Sequence, residues 1–277
     1  MTYLQSIILG FVQGVAEFLP ISSSGHLSIL QNVFGLTSPE GEHLFFDVLL
    51  HLGTLLAVFV AYWGEIKALI LEFFTMLHLR RLPAGQRPDR LSRRTIAFII
   101  IGTLPLLVVL PVKDLVDSLY NNLMFIGCAL LTTGLLLFLA DRAGRGGKDV
   151  KTASVFDILF VGLAQAIAVV PGLSRSGTTI AAGLSRGFSR EYAVKFSFLL
   201  SIPAVLGANL LSIVDAVQTG IDWSLLPVYL AGVATAAVSG YLSISLLRYI
   251  TRKNSFGGFC YYCWGAGLLT LVLFLIK

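Results

Sequence analysis

Six apolar runs, each about as long as the roughly 20-residue helix that crosses hydrocarbon, alternate with two longer apolar stretches that are broken near their middles by polar residues. The unbroken runs fall at about 45–64, 95–112, 120–140, 192–215, 225–248 and 256–276, and the first continues as an amphipathic stretch to about 77. Hydrophobic residues make up 56% of the 277 residues and charged residues only 13%. A soluble domain carries roughly 25% charge, so too few polar groups remain here to coat a surface facing water. The runs therefore predict helices in a lipid bilayer.

The two broken stretches span 4–34 and 155–188. The first is interrupted by Glu17-Phe-Leu-Pro-Ile-Ser-Ser-Ser-Gly-His26, the second by Pro171-Gly-Leu-Ser-Arg-Ser-Gly-Thr-Thr179. Proline and glycine break helices, and serine side chains bond the backbone groups set free. At membrane depth such backbone persists only inside protein or beside a water-filled cavity. Each stretch thus reads as two half-helices forming a re-entrant hairpin, the second half-helix of the later stretch starting after Gly177.

The broken stretches also match each other. At an offset of 152 residues Gly10 meets Gly162, Gln13 meets Gln165, Ser22 meets Ser174, Ser24 meets Ser176 and Gly25 meets Gly177. The chain reads as a single membrane domain, 1–277, made of halves at about 1–143 and 150–277. Each half holds one hairpin and three crossings, an odd number, so the second half is upside down. The expected fold is an all-α polytopic membrane protein, an inverted-topology repeat of six transmembrane helices with two re-entrant helical hairpins meeting near the bilayer midplane.

The 20 basic residues set the orientation. They gather at 78–94, at 141–151 and at Arg248, Arg252 and Lys253, whereas the loops near Lys113 to Asp117 and Asp215 to Asp222 are neutral or acidic. The positive-inside rule puts the basic loops in the cytoplasm and both termini outside. The net charge of +5 comes without a basic face interleaved with stacking aromatics, which excludes nucleic acid as the partner. Met1 to Leu19 lacks a basic leader and contains Glu17, so no cleavable signal peptide is expected. Cys260 and Cys263 form a C-x-x-C with no second ligand pair, and with Cys128 they read as small packing residues.

Charges inside lipid cost at least ~2.5 kcal/mol each and face cavities where they work. Glu17 and Arg175 are the sharpest cases, one in each hairpin. The loop around Arg175 suits a phosphate: its guanidinium is a planar fork of donors, Ser174, Ser176 and Thr179 add hydroxyls, and a helix N-terminus follows. Serines alone could equally cap helix ends. The first loop offers Ser22, Ser23 and Ser24 as hydroxyl nucleophiles or phosphate ligands, with His26 close enough in sequence to act as base. Glu17 could hold a divalent metal or orient His26, and Gln13 lies one turn earlier on the same face. Asp47 and His51 sit four apart and read as a structural pair at least as readily as cavity lining. Glu42 and His43 read as solvated, and Arg186, Arg190, Glu191 and Lys195 as an orientation signal.

The segments Gln13-Gly-Val-Ala-Glu17-Phe-Leu-Pro-Ile-Ser-Ser-Ser-Gly-His26 and Pro171 to Thr179 resemble the two signatures of the bacitracin-resistance family of undecaprenyl-pyrophosphate phosphatases. The runs Phe46 to Thr54 and Phe196 to Pro203 are also similar, and the resemblance covers essentially the whole chain. It implies hydrolysis of undecaprenyl pyrophosphate to undecaprenyl phosphate and inorganic phosphate, recycling a lipid carrier for cell-envelope polymers. It implies a divalent cation, magnesium or calcium, and a site in the bacterial inner membrane opening to the outer side. It assigns roles to Glu17, Ser23, His26, Ser174, Arg175, Ser176 and Thr179. Gln13 stands where many members carry glutamate, which leaves Glu17 and Gln13 as the metal-ligand candidates.

On this reading Ser23 attacks the terminal phosphorus with His26 as its base. His26 attacking directly, or activating water, is the rival route. A homodimer is compatible with the sequence. The competing function is transport or flipping of a polyprenyl phosphate, since inverted repeats with broken helices also build transporters.

Overall fold

The computed structural model describes residues 1–36, 44–79, 87–120, 122–142, 146–219, 221–252 and 256–276. Glu42, His43, Arg80, Arg81, Arg145 and Lys253 lie outside the described residues. The chain is an all-α polytopic membrane protein. Among the described residues five helices are long and apolar enough to cross a bilayer, or six where a bent pair is counted as one span.

The first hairpin is α1 (Tyr3–Phe18) and α2 (Ser23–Val33). Then follow α3 (Leu44–Ala61) and α4 (Trp63–Met76), bent 89° to each other at Tyr62. Neither proline nor glycine sits at that break. Arg248 holds it instead: its guanidinium donates to the Ala61 carbonyl at 2.8 Å and lies 3.9 Å over the Tyr62 ring. The carbonyl left open at a helix end thus gains a charged donor. The amphipathic stretch expected to follow the first crossing is α4.

α5 (Arg90–Thr103) runs into a 3₁₀ segment, Leu104–Val112, and the short α6 (Lys113–Ser118). Pro105 and Pro111 remove two backbone donors there, which favours the tighter winding. α7 is Leu123–Arg142, and the second hairpin is α8 (Val155–Ile167) and α9 (Arg175–Ser185). α10 (Arg190–Thr219), α11 (Leu226–Arg252) and α12 (Gly257–Ile276) complete the bundle. The last hairpin helix begins at Arg175, not after Gly177 as the sequence suggested, because Ser174 caps it and accepts the Gly177 N–H at 3.1 Å.

The hairpins lie on helices from the other part of the chain: α1 packs most extensively on α11, and α8 on α5. Close approach requires glycine at both crossings. A Cβ on Gly10 would sit 2.2 Å from the Gly232 carbonyl oxygen, and one on Gly162 would sit 2.5 Å from that of Gly102. α3 packs on α10 and α7 on α12. The hairpins also start alike. Thr2 and Gln5 form a capping box at α1, and Ser154 and Asp157 form one at α8, again 152 positions on.

The two hairpins start at opposite ends of the bundle. Near the start of α1, Ser6 donates to the Val228 carbonyl at the start of α11. The start of α8 meets the basic end, where ion pairs tie helix termini together: Arg190–Asp141, Arg186–Asp157, Lys148–Asp157, Lys195–Glu65 and Arg93–Glu72. The basic residues near 190 are therefore structural clasps. Burial pushes the Asp157 carboxyl up, but donors from Ser154, Lys148 and Arg186 outweigh it and hold the group below the ordinary carboxylate range. Large apolar side chains such as Val108, Phe156 and Leu275 cover the exterior. In water such a surface would be untenable; in lipid it is the expected one.

Candidate active site

Both broken loops end in the same device. Ser22 caps α2 and accepts the Gly25 N–H at 3.3 Å, as Ser174 caps α9 and accepts that of Gly177. Ser22 faces Ser24 at 3.4 Å, and Ser174 faces Ser176 at 3.3 Å. In each loop the first backbone N–H groups of the following helix, at Ser23 and Ser24 and at Arg175 and Ser176, have no hydrogen-bond partner among the described residues. Such N–H groups attract anions.

The loops touch each other. The Ser24 hydroxyl accepts the Gly172 N–H at 3.2 Å, and Ser176 reaches the Leu19 carbonyl at 3.4 Å. Gly172 has φ +85°, a left-handed conformation that suits glycine. Ser22 adopts φ +73° with a side chain, strain that costs of order 1–3 kcal/mol and clusters at functional sites. Helices outside the hairpins anchor both loops. Thr133 on α7 accepts the Ser174 N–H at 3.1 Å, and Cys263 on α12 packs its sulfur 3.6 Å from the Pro20 carbonyl. The three cysteines are free, and Cys260 and Cys263 are buried packing residues as expected.

Glu17 and Arg175 meet at this junction. The Arg175 guanidinium donates to Glu17 Oε1. Oε2 accepts from the Ser23 hydroxyl at 2.6 Å and from Gln13 Nε2 at 3.2 Å. His51 brings its Nε2 to 4.0 Å from the same oxygen. The Glu17 side chain is only 6% exposed and that of Arg175 21%, so each charge offsets the desolvation of the other. The Oε1 of fully buried Gln13 has no partner among the described residues.

His26 is placed differently from expectation. Its Nδ1 meets the Ser22 carbonyl at 2.7 Å and its Nε2 meets the Tyr262 hydroxyl at 2.7 Å. It forms no hydrogen bond with Ser23 or Glu17, since both ring nitrogens are taken by these two partners. The proton acceptor in reach of the Ser23 hydroxyl is Glu17. Asp47 and His51 share a face but not a side-chain bond: His51 Nδ1 bonds the Asp47 carbonyl at 2.8 Å, while the Asp47 carboxylate accepts from Gln31 at 2.9 Å. Thr179 points its hydroxyl at the Arg175 carbonyl and at Ser197, 2.8 Å and 2.6 Å away. In this arrangement Ser174 and Thr179 shape the loop, and Arg175 presents the charge.

The site residues come from α1, α2 and α9, with His51 from α3 and Tyr262 from α12. Sequence spacing singled out the hairpin residues. It ranked His51 low and did not mark Thr133 or Tyr262, which reach the site only through helix packing.

A protein-family profile described as Bacitracin resistance protein BacA matches residues 6–269. The chain is 41% identical over 277 residues to an undecaprenyl-diphosphatase of Alkaliphilus metalliredigens, covering 100% of both chains. It is also 41% identical to an undecaprenyl-diphosphatase of Carboxydothermus hydrogenoformans over 279 residues, with 99% and 98% of the two chains covered. The relative from Methanosphaera stadtmanae that bears the same name is 41% identical over 277 residues, 98% of this chain and 97% of its own. A full-length match of this kind, together with hairpins that carry both signatures, leads to one conclusion: the chain belongs to the BacA family of bacitracin resistance proteins.

Proposed function

We propose that the chain is a membrane phosphatase that hydrolyses undecaprenyl pyrophosphate to undecaprenyl phosphate and inorganic phosphate. The observation that carries this reading is the Glu17–Arg175 pair with the Ser23 hydroxyl 2.6 Å from the same carboxylate. A guanidinium to hold phosphate, a hydroxyl to attack and a carboxylate to take its proton converge in one buried spot. The BacA relationship and the names of the relatives point the same way.

The reaction follows from the residues. Arg175 and the open N–H groups of α9 hold the pyrophosphate oxygens. Ser23 Oγ attacks the terminal phosphorus as Glu17 Oε2 accepts its proton, and the bridging P–O bond breaks to release undecaprenyl phosphate. Water then attacks the phosphoserine, releasing inorganic phosphate and returning the serine its proton. Positioning and charge neutralisation supply most of the acceleration in phosphoryl transfers of this kind. His26 stands beside this centre, one turn past Ser22.

A divalent cation fits the donor set. Glu17 Oε2 and the orphaned Gln13 Oε1 are hard oxygen ligands on adjacent turns. One carboxylate plus substrate oxygens suits magnesium, which seldom needs an all-protein cage. Such an ion, when bound, neutralises negative charge on the phosphates.

The polyprenyl chain lies, on this reading, along an open, mostly apolar groove of about 340 Å³ lined by Ile29, Asn32, Val33, Leu123, Leu273 and Ile276. Ile29 and Val33 follow His26 by three and seven residues on α2, so they share its face. The basic end lies in the cytoplasm of the cell, the termini outside, and the inner membrane is the location. The caps and glycine contacts that recur 152 residues apart support two inverted halves, about 1–143 and 150–277.

The test is phosphate release from undecaprenyl pyrophosphate by the purified chain in detergent, where transport cannot register. Release with magnesium, lowered at least 10²-fold in Ser23→Ala, is expected. No release from the intact chain would turn the reading to transport. A rapid quench with no phosphate on Ser23 would move the attack to water.

A further inference from the structure

The His26 side chain has one partner from outside its own hairpin. Tyr262 on α12 places its hydroxyl 2.7 Å from Nε2, with the two ring planes 14° apart. On the other side of the ring, Nδ1 sits 2.7 Å from the Ser22 carbonyl. A carbonyl oxygen only accepts, so Nδ1 carries a proton. In the neutral imidazole Nε2 is then a bare acceptor, and the Tyr262 hydroxyl is the donor that meets it. Both nitrogens are fixed, one by the strained Ser22 backbone and one by a helix over 200 residues away in the chain. Tyr262 is 48% exposed and lies on the α12 face that carries Leu273, eleven residues on.

We infer that Tyr262 is a positioning residue for the reaction: its hydroxyl holds the Nε2 side of the His26 ring, whose Nδ1–H tautomer the Ser22 carbonyl sets, in one orientation. This rests on the phosphatase reading above. A phenol ring that merely packed would leave Nε2 without a donor and only the Ser22 carbonyl to hold the ring. The hydroxyl supplies the second hold, as an orienting partner does for any catalytic histidine.

The experiment compares wild type, Tyr262→Phe, His26→Ala and the double variant, as purified full-length chains in detergent with undecaprenyl pyrophosphate and magnesium. Phenylalanine keeps the packing and loses only the hydroxyl. We expect kcat to fall about tenfold, the size of one hydrogen bond, with KM and thermal stability unchanged. In the His26→Ala background the same substitution should cost nothing more, because the tyrosine acts through the imidazole. Nitrogen-15 spectra of histidine-labelled chain should show an unprotonated, hydrogen-bonded Nε2 at His26 in wild type and, with the tautomer unchanged, a displaced Nε2 resonance in Tyr262→Phe. Full kcat in Tyr262→Phe, an equal loss with and without His26, or an unchanged Nε2 resonance would each overturn the proposal. If the wild type releases no phosphate, the functional reading falls, and the spectra still decide whether the Tyr262 hydroxyl holds Nε2.

Discussion

Replacing Glu17 by glutamine strips the counter-charge from a guanidinium that is only 21% exposed. Two unit charges about 4 Å apart at an effective dielectric near 20 attract by about 4 kcal/mol. Breaking a buried pair from one side costs ~3–5 kcal/mol, since the remaining charge stays desolvated. A chain of 150–250 residues loses about 2–4 °C of melting temperature per kcal/mol. Glu17→Gln and Arg175→Met should therefore each lower the melting temperature by on the order of 10 °C. The double variant removes both charges and leaves none unpaired, so it should recover at least half of the summed loss. Phosphate release should stay lost in all three, because the proposed reaction uses the pair to hold substrate and take the proton. The assay is thermal unfolding in detergent at pH 7 with a fixed scan rate, run beside phosphate release. Single variants that lose under about 3 °C, or a double variant that loses the full sum, would refute the claim that the two charges compensate each other.

Other consequences follow from the same coordinates. Gly10→Ala drives a methyl into the Gly232 carbonyl 2.2 Å away and should destabilise by about 1–3 kcal/mol, whereas Gly207→Ala, with nothing within 4 Å, should stabilise by about 0.5–1 kcal/mol; melting temperatures of the two variants compare them. Asp157 titrates lower in the folded chain than unfolded, so its stabilisation is complete above about pH 4 and is lost as pH falls through the folded value. Asp157→Asn should accordingly melt earlier than wild type at pH 7, with the gap closing in acid. Cysteines placed at Lys151 and Ser118 in a cysteine-free background should label from the cytoplasmic and outer sides respectively with an impermeant thiol reagent, and the reverse pattern would invert the orientation.

The apolar runs exposed the helices because lipid permits few alternatives, and the broken stretches exposed the hairpins for the same reason. Glu17 and Arg175 stood out since a charge within an apolar run needs a reason. The partner of Ser23 was not legible. Nearness in sequence favoured His26, but on α2 the imidazole turns to the Ser22 carbonyl, and the carboxylate six residues before Ser23 folds back onto it. The start of α9 was readable from Ser174 as a cap, a signal that the glycine three residues later obscured. The 89° bend at Tyr62 was not legible either, since the arginine that braces it comes from α11. His51 and Tyr262 likewise reach the centre by packing between distant helices, which no spacing rule encodes.

The split of the acid and the guanidinium between hairpins that begin at opposite ends of the bundle bears on how the chain is made. Until both hairpins are seated, each carries a charge into hydrocarbon at ~2.5–3.5 kcal/mol. A chain threaded with one hairpin wrong keeps two such debts, roughly 5–7 kcal/mol together. The ion pair that the proposed reaction uses therefore also distinguishes a correctly inserted molecule from a misthreaded one, before any lipid carrier arrives.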